Sequence, residues 1–150
     1  MTNSAVSGGV FGVAADAKSN AYAAGNASAP GYPPAIVEFK NLNGAGTNLD
    51  LSELTDPTCV LIDKSSNVVV SDYGGDDILI YPPGSTSPSS TISVDTPDRS
   101  SFNEAENLIY VPQGIYDDVD VLDYPSGTPV TTVPIGGFTT GTALAPAPKP

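Results

Sequence analysis

Apolar residues in this chain come in short runs, each closed by a turn. The clearest set lies at residues 56–84, DPTCVLIDKSSNVVVSDYGGDDILIYPPG. CVLID ends on an aspartate. NVVVSD is β-branched and follows the turn-forming KSSN. DILIYPP follows the glycine turn YGGD and stops at a proline pair. Short β-branched and aromatic runs punctuated by Gly, Asn, Asp and Pro predict strands joined by tight turns. No window holds a 3.6-residue apolar period for ten residues, and Pro or Gly interrupts nearly every fifteen. Helices are therefore not predicted. The runs are continuous rather than alternating, as inner strands covered on both faces are.

The same pattern recurs on either side. VFGVAAD (10–16), the turn at Lys18, Ser19 and Asn20, AYAA and AIVEF (35–39) repeat the three runs, with a longer loop, GNASAPGYPP, before the last. After DRSSFNEAEN come LIYV, the loop PQGIYDDVD and VDVLDYP. TNLDL (47–51), STISV (90–94) and PVTTV (129–133) supply a fourth, outermost strand to each unit. Asn20, Asn67 and Asn107 are 47 and 40 residues apart, and Phe39, Tyr81 and Tyr124 are 42 and 43 apart. A four-stranded unit recurring every ~40–47 residues predicts propeller blades. The expected fold is all-β: an incomplete or open β-propeller of about three to four antiparallel four-stranded blades. The blade region runs over 9–146, with blades at about 10–52, 56–95 and 97–134. GFTTGTALAP (137–146) reads as the start of another. Residues 1–9 are expected to form an outer strand or a disordered lead, and 147–150 a Pro-rich tail.

These residues resemble NHL-type repeats and the related propellers of the gluconolactonase and streptogramin-lyase superfamily. The shared pattern is roughly P-x-G-[IV]-A-[VL]-D, a turn, G-N-[IVL]-[YW]-V-[AS]-D, a Gly/Asn turn, and [IV]-x-[VI]-[FY]. The middle unit matches it at Pro57, Ile62, Asp63, Asn67, Val70, Ser71, Asp72, Gly74, Ile78, Ile80 and Tyr81. The first matches at Gly12, Val13, Ala14, Asp16, Asn20, Tyr22, Ile36 and Phe39, and the third at Pro97, Asn107, Tyr110, Val111 and Tyr124. YPPGST and YPSGT resemble the third-strand endings of bacterial exported members, which implies an extracellular or periplasmic location. No signal peptide is visible at the start, so a cytoplasmic location stays open. Departures are Thr58 or Cys59, and Ser100 or Ser101, where the pattern has Gly, and Asn103 where it has Asp. Three and a fraction blades do not close a ring and leave two sheet faces bare. Three arrangements follow: a piece of a longer propeller, a ring closed by pairing with a second copy into six or seven blades, or an open arc.

Composition narrows the function classes. Among 150 residues, 17 are acidic and 5 basic, a formal net charge of −12. Nucleic acid and anionic membrane surfaces, which need clustered Lys and Arg, are disfavoured as partners. No stretch approaches the ~20 apolar residues of a membrane span. Cys59 is alone and lies in an apolar run, which predicts a buried, inert thiol. There is no histidine. Ser-His-Asp and Cys-His catalysis and His-ligated metal sites are excluded in their usual forms. The resemblance implies a histidine acid/base in the lyases, and a divalent ion held by Glu, Asn and Asp in the gluconolactonases. This chain matches neither set residue by residue.

The remaining candidates lie on one rim, where blade topology gathers the second-to-third strand turns and the fourth-to-first strand connections. They are Asp56, Asp72, Tyr73, Asp76, Asp98, Arg99, Tyr116 and Asp118, with Thr58 beside them. Asp72, Asp76 and Asp77 offer carboxylates in a glycine turn, a weak candidate for Ca²⁺ without the EF-hand spacing. Their plainer role is to accept turn N–H groups. Asp56 or Asp98 paired with Asp72 is the candidate for glycoside chemistry. Arg99 reads as a surface ion-pair partner. Tyr32, Tyr73 and Tyr116 occupy comparable loops and could stack on a sugar or peptide. The reading that results is a non-catalytic propeller module binding a protein, small-molecule or carbohydrate ligand. It needs no cofactor and belongs to a larger or oligomeric propeller, for instance a homodimer. The alternative is a piece of a lactonase- or lyase-like enzyme whose catalytic blades lie elsewhere.

Overall fold

The computed structural model describes residues 6–27, 30–42, 45–137 and 139–142. Twelve strands form three antiparallel sheets. The first holds β1 (Val6–Ala15), β2 (Ala21–Ala27), β3 (Pro34–Phe39) and β4 (Thr47–Asn48), in that order. The second holds β5 (Pro57–Ile62), β6 (Val68–Asp72), β7 (Asp77–Tyr81) and β8 (Ser90–Ser93). The third holds β9 (Ser101–Phe102), β10 (Leu108–Pro112), β11 (Asp118–Asp123) and β12 (Pro129–Pro134). The only helical element among the described residues is a 3₁₀ turn at Lys40–Leu42.

The sheets stack face to face, as propeller blades do. Successive residues of a strand point to opposite faces, and in the middle sheet both faces are covered. Val60, Val68, Val70, Leu79 and Tyr81 pack on Tyr22, Ala24 and Ile36 of the first sheet. Val69, Ile78, Ile80 and Ile92 pack on Ile109, Val111 and Leu122 of the third. Every residue of β6 is buried, which is why its sequence shows no alternation. Each fully buried Val, Leu or Ile stabilises the fold by roughly 1.5–3 kcal/mol. Gly12 sets the spacing of the first interface. A Cβ there would come within 2.9 Å of the Cys59 Cα and the Thr58 carbonyl oxygen.

One turn design opens each sheet. Asp16 Oδ1 accepts the main-chain N–H groups of Lys18 and Asn20, and Oδ2 accepts the Asn20 side chain. Asp63 does the same with Ser65 and Asn67. Burial alone raises the Asp16 carboxyl, but the N–H groups of Asn20 and Lys18 outweigh it and hold it below its ordinary value. In the third sheet Asn103 takes this place, and its Oδ1 accepts the N–H groups of both Asn107 and Leu108. The Asn103 N–H donates to the Leu108 carbonyl, where Asp63 uses Asn67 and Asp16 uses Asn20. The turn is therefore one residue longer. Ile109 and Val111, not Leu108 and Tyr110, face the middle sheet.

Other boundaries also differ from expectation. β1 begins at Val6, inside the stretch expected as an outer strand or a lead, and pairs with β2 through two register shifts. β4 and β9 have two residues each. In the segment expected to open a fourth unit no strand forms among the described residues, 137 and 139–142. This segment lies against the third sheet: the Thr142 N–H donates to the Arg99 carbonyl, and Thr142 Oγ1 to that of Tyr110. The rest of that expectation, Phe138 and 143–146, lies outside the described residues, as do 1–5 and the tail at 147–150. Val13, 73% exposed, and Phe11 face away from the middle sheet on the first; Val133 does so on the third.

Candidate functional site

The β6–β7 turn, the β10–β11 turn and the connections entering β5 and β9 meet at one end of the stack. Asp72 closes β6 and is fully buried. Its two carboxylate oxygens accept the N–H groups of Thr55 and Asp56, both at 2.5 Å. Asp56 returns the contact through its carbonyl, which accepts the Tyr73 N–H at 3.0 Å. Asp56 thus joins Asp72 by its backbone, and its side chain is exposed. Asp76, at φ +54°, accepts the Thr96 N–H on Oδ1 at 2.9 Å. Its carbonyl accepts the Val94 N–H. Both aspartates fasten a turn to the connection beside it.

Tyr73 reaches into the next sheet. A Cβ on Gly114 would lie 2.8 Å from its ring, so an added methyl would displace the ring. The Gly114 N–H donates to the Thr96 carbonyl. Beyond Gly114 the loop projects outward, with Ile115 55% and Tyr116 45% exposed. Tyr32 is exposed on the corresponding loop of the first sheet. The three tyrosines form no stacked set. The aromatic pair among the described residues is Phe102 with Tyr124, at 4.7 Å.

Arg99 departs from its expected role. Its Nε donates to the Phe11 carbonyl at 3.0 Å and its Nη1 to the Thr140 carbonyl at 2.9 Å. It ties the entry to β9 to β1 and to the segment after β12, and makes no ion pair among the described residues. The guanidinium fork suits two carbonyls that the neighbouring backbone already holds in place. Asp98 is half-buried, and burial raises its carboxyl against the opposing pull of Arg99. Its N–H donates to the Pro112 carbonyl. The neighbouring Thr58 hydroxyl donates to the Pro97 carbonyl at 3.0 Å.

Two carboxyls stand apart. Asp77 lies directly opposite Asp72 in the β6–β7 register, and its Oδ1 is buried with no hydrogen-bond partner. Burial first, then the charges of Asp72, Glu53 and Asp76, push it up to about 6. Asp118 also has a buried, unpartnered Oδ1, and burial with Asp120 and Asp117 raises it. The sequence pointed to neither as an unpaired group, because pairing depends on cross-strand register. Gln113 and Thr132, absent from the candidates, both hold Asp120. Of the weak Ca²⁺ set, Asp72 and Asp77 stand opposite one another, whereas Asp76 accepts the Thr96 N–H. Among the described residues no three His, Cys, Asp or Glu side chains stand close enough to hold a metal ion. A cleft of about 520 Å³ between the second and third sheets is lined by Asp76, Asp95, Gln113 and Asp120.

No protein-family model matches the chain, and no curated protein matches it in sequence. Solved structures resemble it in fold. A structure described as Kuenenia stuttgartiensis hydrazine synthase superposes with a TM-score of 0.68 at 12% identity, over 87% of this chain and 37% of that one. A chain of a nidogen/laminin complex gives 0.69 at 16% identity, over 81% and 46%. A streptogramin B lyase gives 0.62 at 9% identity, over 87% and 42%. The protein is thus an all-β, partial β-propeller, and spans less than half the length of each of these chains. No described helix is long and apolar enough to cross a membrane.

Proposed function

We propose that the chain is a non-catalytic binding module that recognises a protein partner through the rim carrying Asp56, Asp72, Tyr73, Asp76, Asp98, Tyr116 and Asp118. The observation that carries this reading is the use of the rim carboxylates as backbone clamps. Asp72 and Asp76 hold Thr55, Asp56 and Thr96, which stiffens the rim and occupies both oxygens of Asp72 and one of Asp76. A rigid acidic platform with Ile115 and Tyr116 projecting from it suits a partner with an apolar anchor ringed by basic residues. The nidogen/laminin structure, by its description a complex, is a precedent for protein binding on this scaffold. The module works within a larger or paired propeller, and the exposed Phe11, Val13 and Val133 on the two outer faces support this.

The test is an amide NMR titration with a blocked Arg-Leu-Arg peptide as probe. Shifts centred on the 115–117 loop are expected, weakening with added salt and disappearing in Tyr116→Ala. The proposal fails if that loop does not respond. It fails equally if the protein hydrolyses δ-gluconolactone above the buffer rate and Asp77→Asn abolishes that turnover.

A further inference from the structure

On the opposite rim two clefts open between neighbouring sheets, each beside the opening turns of both. The first, about 300 Å³, is lined by Lys18, Asn20, Tyr22 and Lys40 on one side and Ser66 and Pro83 on the other. The second, about 230 Å³, is lined by Lys64, Asn67, Glu106, Tyr124 and Pro125. Each includes the turn aspartate of its sheet, and each brings a tyrosine hydroxyl to that aspartate's Oδ2. Tyr22 of β2 does this from within the same sheet at 3.4 Å for Asp16, and Tyr124, just after β11, from across the cleft at 2.8 Å for Asp63.

They differ in how the cleft is filled. In the second, Glu106 sits at φ +55° and sends its carboxylate across to the neighbouring turn. There its Oε2 accepts the main-chain N–H of Lys64, the residue after Asp63, at 2.6 Å. In the first, the same turn position is Ser66, at φ +64°, whose side chain is too short to cross. The corresponding N–H belongs to Ala17, the residue after Asp16, and it meets no acceptor among the described residues.

We infer that the first cleft is a carboxylate-binding site, in which an acid group of a ligand takes the position that Glu106 fills one blade further on. It accepts the Ala17 N–H, with the exposed ammonium groups of Lys18 and Lys40 beside it. Asp16 does not bar an anion, because the equivalent Asp63 stands beside Glu106 in the filled cleft. Glu38, the other carboxylate lining the cleft, is engaged by the Tyr22 hydroxyl at 3.1 Å and by Lys40 at 3.7 Å. One charge-assisted hydrogen bond and two solvated lysines give weak binding, with Kd on the order of 1–10 mM.

The experiment is an amide NMR titration of the whole chain with sodium acetate, with an acetylated and amidated Gly-Glu-Gly peptide, and with sodium chloride. Saturable shifts of Ala17 and Lys18 are expected with a carboxylate and not with chloride. Saturation by acetate assigns the site to any small acid; saturation by the peptide alone assigns it to a peptide-borne side chain. Ser66→Glu, which repeats the Glu106 arrangement at an exposed position, abolishes the response while the remaining spectrum stays in place. Lys18→Gln weakens it by roughly two- to fivefold. The inference is overturned if neither carboxylate moves Ala17, if chloride moves it equally, or if both variants respond as the parent does.

Discussion

Replacing Asp77 by Asn stabilises the protein near neutral pH and leaves it unchanged in acid. Asp77 and Asp72 are directly opposed on β6 and β7, where facing side chains stand close and like charges repel. Both crowd Gly75: a Cβ there would lie 3.0 Å from Asp77 Oδ1 and 3.2 Å from Asp72 Oδ2. Asp72 has two N–H donors for its charge, whereas Asp77 Oδ1 has none. Its carboxyl, ordinarily near 3.8, is pushed up to about 6. A group raised in the folded state favours folding below its unfolded value and loses that contribution as pH climbs through the folded one. Between about pH 4 and 6 the unfolded chain therefore releases the proton first, and stability falls.

The full shift corresponds to about 3 kcal/mol. Asp77 is only partly buried and solvent screens it, which reduces this to about 1 kcal/mol. Asn keeps the shape, removes the charge and offers Asp72 a donor. Urea unfolding followed by circular dichroism is expected to place Asp77→Asn about 1 kcal/mol above the parent near pH 7.5, or roughly 2–4 °C in Tm. The gap closes near pH 4. Equal stability near pH 7.5, or a gap that persists in acid, would refute the unpaired-carboxyl account.

Gly12→Ala is expected to destabilise by about 1–3 kcal/mol, because its methyl meets the β5 backbone rather than a movable side chain; chemical denaturation measures this. The Cys59 thiol is buried, and burial pushes it up to about 11. A thiol-reactive dye near pH 8 is therefore expected to label it only as fast as the protein unfolds, and rapid labelling of folded protein would contradict its placement.

How much could be read in advance depended on where a residue's partners lie. The middle sheet was legible because burial on both faces leaves uninterrupted apolar runs such as VVV and ILI, and the turns were legible because Asp16, Asp63 and Asn103 act within five residues of chain. The slip after Asn107 was not, since the turn residues look the same whether the Asn103 N–H meets the carbonyl of Asn107 or of Leu108. Arg99 was misassigned because its acceptors are carbonyls of Phe11 and Thr140, far away in sequence and without a side-chain signature. The turns that carry Asp72 and Asp76 could be placed from their glycines, yet the division between clamped Asp72 and unpaired Asp77 rests on a register that spacing does not disclose. The clefts on the opposite rim stayed hidden for a similar reason, since Ser66 and Glu106 gain meaning only when the two turns are superposed.

Native-state hydrogen exchange tests the stacking of the three sheets most directly. If the middle sheet is covered on both faces, the paired amides of β6 and β7 exchange only through global unfolding, while those of β12, exposed along its whole length, open locally and far faster. Exchange of β6 and β7 at the rate of β12 would mean that the sheets do not lie against one another.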